Sequence, residues 1–131
     1  MIRLNMKPFS KERPRFSKNG TYMNPKYTQA KKDLANLYRA SQYRNIDFKG
    51  KAVSVEVMFC FTIPKSWSRK MKANPDHRRI VKDLDNLCGG MMDALEGIAW
   101  NNDKDIISLI SSKRYCESGD CIFLSIKETE V

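Results

Sequence analysis

Ala52-Val53-Ser54-Val55-Glu56-Val57-Met58-Phe59-Cys60-Phe61-Thr62-Ile63 is the stretch from which the fold reads most directly. Val53, Val55, Val57, Phe59, Phe61 and Ile63 alternate with Ser54, Glu56, Met58, Cys60 and Thr62, the period-two pattern of a strand with one face in the core. Met58 and Cys60 make the second face partly apolar, which predicts a central strand or a face covered by another subunit. Pro64 ends the strand because it has no N–H to donate to a ladder.

Upstream, Asn24-Pro25 has the chemistry of an N-cap followed by a first helical residue. Tyr27, Ala30, Leu34, Leu37 and Tyr38 then recur at helical spacing, predicting a helix over 25–41 with Lys31, Lys32, Arg39 and Arg44 facing outward. Residues 2–6 form a candidate short strand, followed by a basic loop from Lys7 to Met23 with Phe9, Phe16 and Tyr22 interleaved. Downstream, Leu84, Leu87, Cys88, Met91, Leu95 and Ile98 predict a second helix over 85–96, capped by Asp85 and closed by Gly97. Gly89 and Gly90 inside it each cost about 1 kcal/mol relative to alanine, so something must approach closely there. Residues 106–115 and 121–127 read as two strands joined by Glu117-Ser118-Gly119-Asp120, which has hairpin turn chemistry. The expected fold is α+β, a single compact domain over 1–131 with a small mixed β-sheet and two main helices.

Composition bounds the function. At 131 residues a chain buries roughly two-thirds of its unfolded surface and needs neither disulfide nor metal to stay folded. The cysteines at 60, 88, 116 and 121 form no C-x-x-C pair and a single histidine, His77, is present, which argues against a structural zinc. Free buried thiols are expected, as in a reducing cytosol. His77 lies among arginines and is read as solvated or phosphate-contacting. No secretory h-region or membrane-length apolar run occurs, so no membrane association is expected. P-loop, dinucleotide-loop and serine-nucleophile motifs are absent, which leaves no basis for a nucleotide cofactor or covalent catalysis.

The formal net charge is +9, and its distribution says more than its total. Residues 1–82 hold 20 of the 24 Lys and Arg against five acids, whereas residues 83–131 hold four bases and ten acids. The first part suits a phosphate backbone. Six acids fall between Asp83 and Asp105 with Lys104 the one base among them. Carboxylates repel phosphate unless a cation stands between them, and a hard divalent ion such as Mg²⁺ is the usual mediator. Asp83 and Asp85 flank a loop-to-helix junction where both can converge on one point. Asp93 lies two turns further along, and Asp103 and Asp105 lead into the next strand. Taken singly, these are a turn residue, a cap and turn-formers; their joint occurrence beside a basic half is what points to metal-assisted phosphodiester hydrolysis.

At these residues the chain resembles the RusA family of Holliday junction resolvases, phage and prophage endonucleases that cut four-way DNA junctions. The resemblance spans nearly the whole chain and is carried best by Asp83-Leu84-Asp85-Asn86-Leu87, then Asp93-Ala94-Leu95-Glu96-Gly97-Ile98-Ala99-Trp100, then Asp103 before a strand. Lys11-Glu12-Arg13-Pro14-Arg15 and Pro64-Lys65-Ser66-Trp67-Ser68-Arg69-Lys70 add weaker support. The resemblance implies that Asp83, Asp85 and Asp103 bind Mg²⁺ and position the attacking water, with Asp93 an accessory acid. It also implies a symmetric homodimer in the cytoplasm of a bacterial host. The chain departs from the family pattern at Lys82, where a proline is usual, at Gly89, where a lysine is common, and at Asn102, where an acid is usual. Lys82 and Lys104 are candidates to supply the missing positive charge.

The reading is a Mg²⁺-dependent endodeoxyribonuclease of DNA recombination and repair that holds four-way or branched DNA through two basic segments. Lys11, Arg13, Arg15 and Lys18 form the first; Lys65, Arg69, Lys70, Arg78, Arg79 and Lys82 form the second. Its rivals are a branched-DNA-binding protein with little or no cleavage and a basic RNA-binding domain.

Overall fold

A computed structural model describes residues 1–129. In chain order the elements are β1 (Ile2–Leu4), β2 (Arg15–Ser17), β3 (Gly20–Tyr22), α1 (Pro25–Arg39), β4 (Val53–Phe61), a short α2 (Arg69–Ala73), α3 (Leu84–Leu95), β5 (Ile106–Tyr115) and β6 (Cys121–Glu128). Single 3-10 turns occupy Gln42–Asn45, His77–Arg79 and Asp103–Asp105.

The strand from which the fold was read is the centre of the main sheet, whose order is β1-β6-β4-β5. β4 pairs parallel with β5 and antiparallel with β6, so the sheet is mixed. Val53, Val55, Val57 and Phe59 are buried in one cluster with Leu34 and Tyr38 of α1, Leu87, Met91 and Leu95 of α3, and Trp100. The other face of β4 is open at Glu56 and half-buried at Ser54 and Met58.

The expected hairpin between the last two strands is not formed, because β4 lies between them. Cys116 N donates to Phe61 O at 2.9 Å, and Thr62 N donates to Asp120 Oδ1 at 2.8 Å. Both bonds pin the Glu117–Asp120 turn across the end of β4, so that β6 returns along its far side. The backbone groups of both late strands are paired with β4 and not with each other.

Pro25 opens α1, and Asn24 Oδ1 accepts from Lys26 N at 2.9 Å. The helix stops at Arg39 rather than 41 because Ser41 Oγ accepts from Tyr43 N and starts a 3-10 turn. The N-terminal strand is likewise shorter, ending at Leu4. The N-cap of α3 is Asp83, not Asp85; Asp83 has extended backbone and makes no side-chain capping bond. Gly97 closes the helix with φ +82°, a left-handed conformation suited to glycine.

The loop from Lys7 to Met23 is partly ordered: β2 and β3 form a separate two-stranded ribbon. Its first residues press on α3, where a Cβ on Gly90 would meet Phe9 O at 2.9 Å and the Phe9 ring at 3.1 Å. Close approach by this segment is what the second helical glycine permits. Cys60, Cys88 and Cys121 are buried free thiols as expected, whereas Cys116 is half-exposed.

Candidate active site

The acids of residues 83–105 divide between the two ends of α3. At its start, Asp83 and Asp85 are exposed. Neither takes part in any ion pair among the described residues. Both sit at the positive end of the helix dipole, which attracts negative charge. The segment leading to them is held from below: Lys113 Nζ, reaching from β5, donates to Ile80 O at 3.0 Å and Lys82 O at 2.9 Å. Sequence reasoning passed over Lys113, whose position in register with the buried Phe59 is set by strand pairing and leaves no signal among its neighbours in sequence.

Asp93 is differently placed. Tyr27 Oη donates to its Oδ2 at 2.7 Å and Lys31 Nζ approaches the same oxygen at 3.1 Å. Burial raises the Asp93 pKa, but the bonds from Tyr27 and Lys31 outweigh it and hold the carboxyl below its usual range. Lys31 therefore faces inward across the α1–α3 interface instead of outward, and burial together with the bond to Asp93 pushes the Tyr27 phenol well up.

Asp103 lies in the 3-10 turn before β5. Trp100 Nε1 donates to its Oδ1 at 2.9 Å, and Glu96 Oε2 accepts from its backbone N–H at 3.0 Å. Burial raises its pKa; the Trp100 bond opposes this, and the charges of Glu96 and Asp93 add to the rise. Asn102 Oδ1 caps the turn by accepting from Lys104 N at 3.0 Å. Among the described residues, no three His, Cys, Asp or Glu side chains stand close enough together to hold one metal ion.

The basic residues make two exposed groups. Arg13, Arg15 and Lys18 lie on or beside the β2–β3 ribbon, whose Phe16 is 85% exposed, the most exposed aromatic of the chain. Phe9, by contrast, packs edge-on against Tyr27 and lies half-buried against the core. Lys65, Arg69 and Lys70 are exposed around α2, and Arg79 lies over the Trp67 ring. Arg78 is paired with Asp76, holding that carboxyl at about 2 through the Arg78 side-chain and backbone hydrogen bonds. Lys82 is half-buried. His77 is half-buried; its Nδ1 accepts from Tyr115 N at 3.0 Å and its ring stacks on Tyr115. It anchors the basic segment to the end of β5.

The sequence profile of the family described as endodeoxyribonuclease RusA matches residues 5–127. The chain belongs to the RusA family. It is thus an endodeoxyribonuclease of the class that acts on Holliday junctions, and no curated protein sequence matches it. No helix among the described residues is long and apolar enough to cross a membrane.

Proposed function

We propose that this RusA-family protein is a Mg²⁺-dependent resolvase whose whole chain acts as one domain, cutting paired strands of a four-way DNA junction in the bacterial cytoplasm. The observation that carries this reading is the pair Asp83 and Asp85, exposed and outside any ion pair among the described residues at the start of α3, directly after the basic segment that Lys113 and His77 hold in place.

The donor set fits the ion. Mg²⁺ is bound through one or two carboxylates, with waters and substrate phosphates completing its octahedron, so a preformed three-residue cage is not required. Asp83 and Asp85 supply two hard oxygen donors, and Asp103, with Oδ1 engaged by Trp100, is the third residue that would hold the ion. A bound Mg²⁺ lowers the pKa of water and stabilises charge on the phosphate. Asp93, held by Tyr27 and Lys31, fixes α3 against α1 and serves as accessory acid through that positioning. Lys11, Arg13, Arg15, Lys18, Lys65, Arg69, Lys70, Arg78, Arg79 and Lys82 contact phosphates, and the exposed Phe16 offers a face to an unpaired base at the branch.

The active form is a homodimer. β5 is a ten-residue edge strand with Ile107 (53%), Leu109 (39%) and Ile110 (63%) exposed. Native proteins rarely leave such an edge uncovered. Two sites related by a two-fold axis match the two opposing strands of a junction. Ile110→Lys is expected to halve the mass measured by sedimentation at micromolar protein.

The test is an end-labelled synthetic four-way junction and a linear duplex of matching sequence, each with and without Mg²⁺, beside Asp85→Asn. Paired nicks on the junction alone, lost in the variant, are expected. Junction binding without cleavage would favour a binding protein, the reading to which the lack of a three-acid cluster among the described residues lends weight. Binding to neither DNA would overturn both and leave an RNA-binding domain.

A further inference from the structure

Asp85, Gly89 and Asp93 follow one another at four-residue intervals and so lie along one strip of α3. The middle position carries no side chain, yet it is not empty space. A Cβ on Gly89 would meet Lys11 Cδ at 3.1 Å, Lys11 Cβ at 3.2 Å and Lys11 Cγ at 3.8 Å. The aliphatic stem of Lys11 therefore lies lengthwise in the gap between the two aspartates. Its backbone is fixed there as well, since Lys11 N donates to Asn86 O at 2.8 Å, a main-chain bond joining the N-terminal segment to the helix.

The stem is seated while the residue as a whole remains exposed, the usual arrangement of a lysine that packs its methylenes and keeps its head in water. Its ammonium is near enough to help lower the Asp93 carboxyl but forms no ion pair with it. Lys31 is already engaged by that carboxylate at 3.1 Å, so Lys11 keeps its charge for a ligand. Lys82 and Lys104 adjoin the proposed ligands in sequence, but what seats a lysine stem on the acidic strip is the Gly89 gap, and Lys11 fills it.

We propose that Lys11 is a catalytic residue that the N-terminal loop delivers through the Gly89 gap, its ammonium contacting the scissile phosphate beside Asp85. The proposal rests on the nuclease reading given above. In phosphodiester hydrolysis water adds to phosphorus, one P–O ester bond breaks, and the products are a phosphomonoester and a hydroxyl end. Lys11 gains and loses no atom in this step; it supplies positive charge where negative charge accumulates on the phosphate oxygens. That charge is needed most on a helix face whose other side chains are carboxylates. The assignment also separates Lys11 from Arg13, Arg15 and Lys18, which belong to the exposed ribbon and hold DNA at a distance from the reacting bond.

The test measures single-turnover cleavage of the labelled junction at saturating protein with Mg²⁺, and junction affinity by anisotropy without metal. Lys11→Met keeps the packed stem and removes the charge; Lys11→Arg keeps both. The expected result for Lys11→Met is a fall of about 100-fold in the saturated rate, with affinity changed less than about fivefold and an unaltered melting temperature. Lys11→Arg should retain a rate within about tenfold of the original. Gly89→Ala, which crowds the stem while favouring the helix, should lower the saturated rate without lowering the melting temperature. Equal saturated rates for the original protein and Lys11→Met, or a loss confined to affinity, would overturn the proposal alone. No cleavage by the original protein would overturn the nuclease reading and this proposal with it.

Discussion

The two ends of α3 carry the same kind of side chain in opposite circumstances. At the start, Asp83 and Asp85 are exposed and outside every ion pair found among the described residues. Beyond its middle, Asp93 is bound by Tyr27 and Lys31, and past its end Asp103 is bound by Trp100 and linked through its backbone to Glu96. The difference lies in the neighbours. α1 crosses the helix at Asp93 and brings a phenol and an ammonium, whereas the approach to Asp83 is a loop whose own carbonyls are taken by Lys113. The donors on Asp93 tie it into the α1–α3 contact, whereas Asp83 and Asp85, with no ion-pair partner among the described residues, are the more available to a ligand.

Substituting at each end should break this comparison or sharpen it. The largest effect is expected at the start of the helix: Asp83→Asn or Asp85→Asn should lower junction cleavage by about 1000-fold or more, measured on the labelled junction, with stability changed by less than about 0.5 kcal/mol. Asp93→Asn should reverse the balance, costing about 1 kcal/mol in urea unfolding because two donors lose a charged acceptor that is itself partly exposed. A pH series refines this. The Asp93 carboxyl is held below its unfolded value, so the unfolded chain binds more protons in that window. Its stabilisation is complete above the ordinary carboxylate range and is lost as pH falls through the lowered value; the acid limb of the Asp93→Asn variant should lack that portion. If Asp85→Asn destabilised as much as Asp93→Asn, the distinction between the two ends would fail. The smallest effect belongs to the ribbon, where Arg13→Ala and Arg15→Ala should each reduce the slope of log affinity against log salt by about 0.9 or less, read by anisotropy at several salt concentrations.

Much of this was legible in the residues. The alternation from Val53 to Phe61 marked the central strand because a strand buried on one face must repeat every second residue. Asn24-Pro25 marked the start of α1 to the residue, and the division of charge near position 82 separated the basic segments from the acids. Other features were not legible. Glu117–Asp120 has the chemistry of a tight turn, yet turn chemistry is local and does not say which strand will lie alongside. Lys31 read as an outward base because its partner is 62 residues away. The contact of His77 with Tyr115 was hidden because nothing near it in sequence announces Tyr115 as a donor and stacking partner. Gly89 read as a missing side chain, whereas in the fold Lys11 fills that space from a segment 78 residues upstream.

By itself the sequence determined the two main helices, the four strands of the main sheet, the RusA resemblance and the identity of the acids and bases, since periodicity, capping and charge are properties of neighbours along the chain. Which carboxylates are bound and which are free, which lysine reaches the acidic strip, and on which side of β4 each late strand lies were decided only by the tertiary structure. Those outcomes depend on donors, acceptors and packed stems that meet across long stretches of chain, and such meetings leave no local pattern from which to read them.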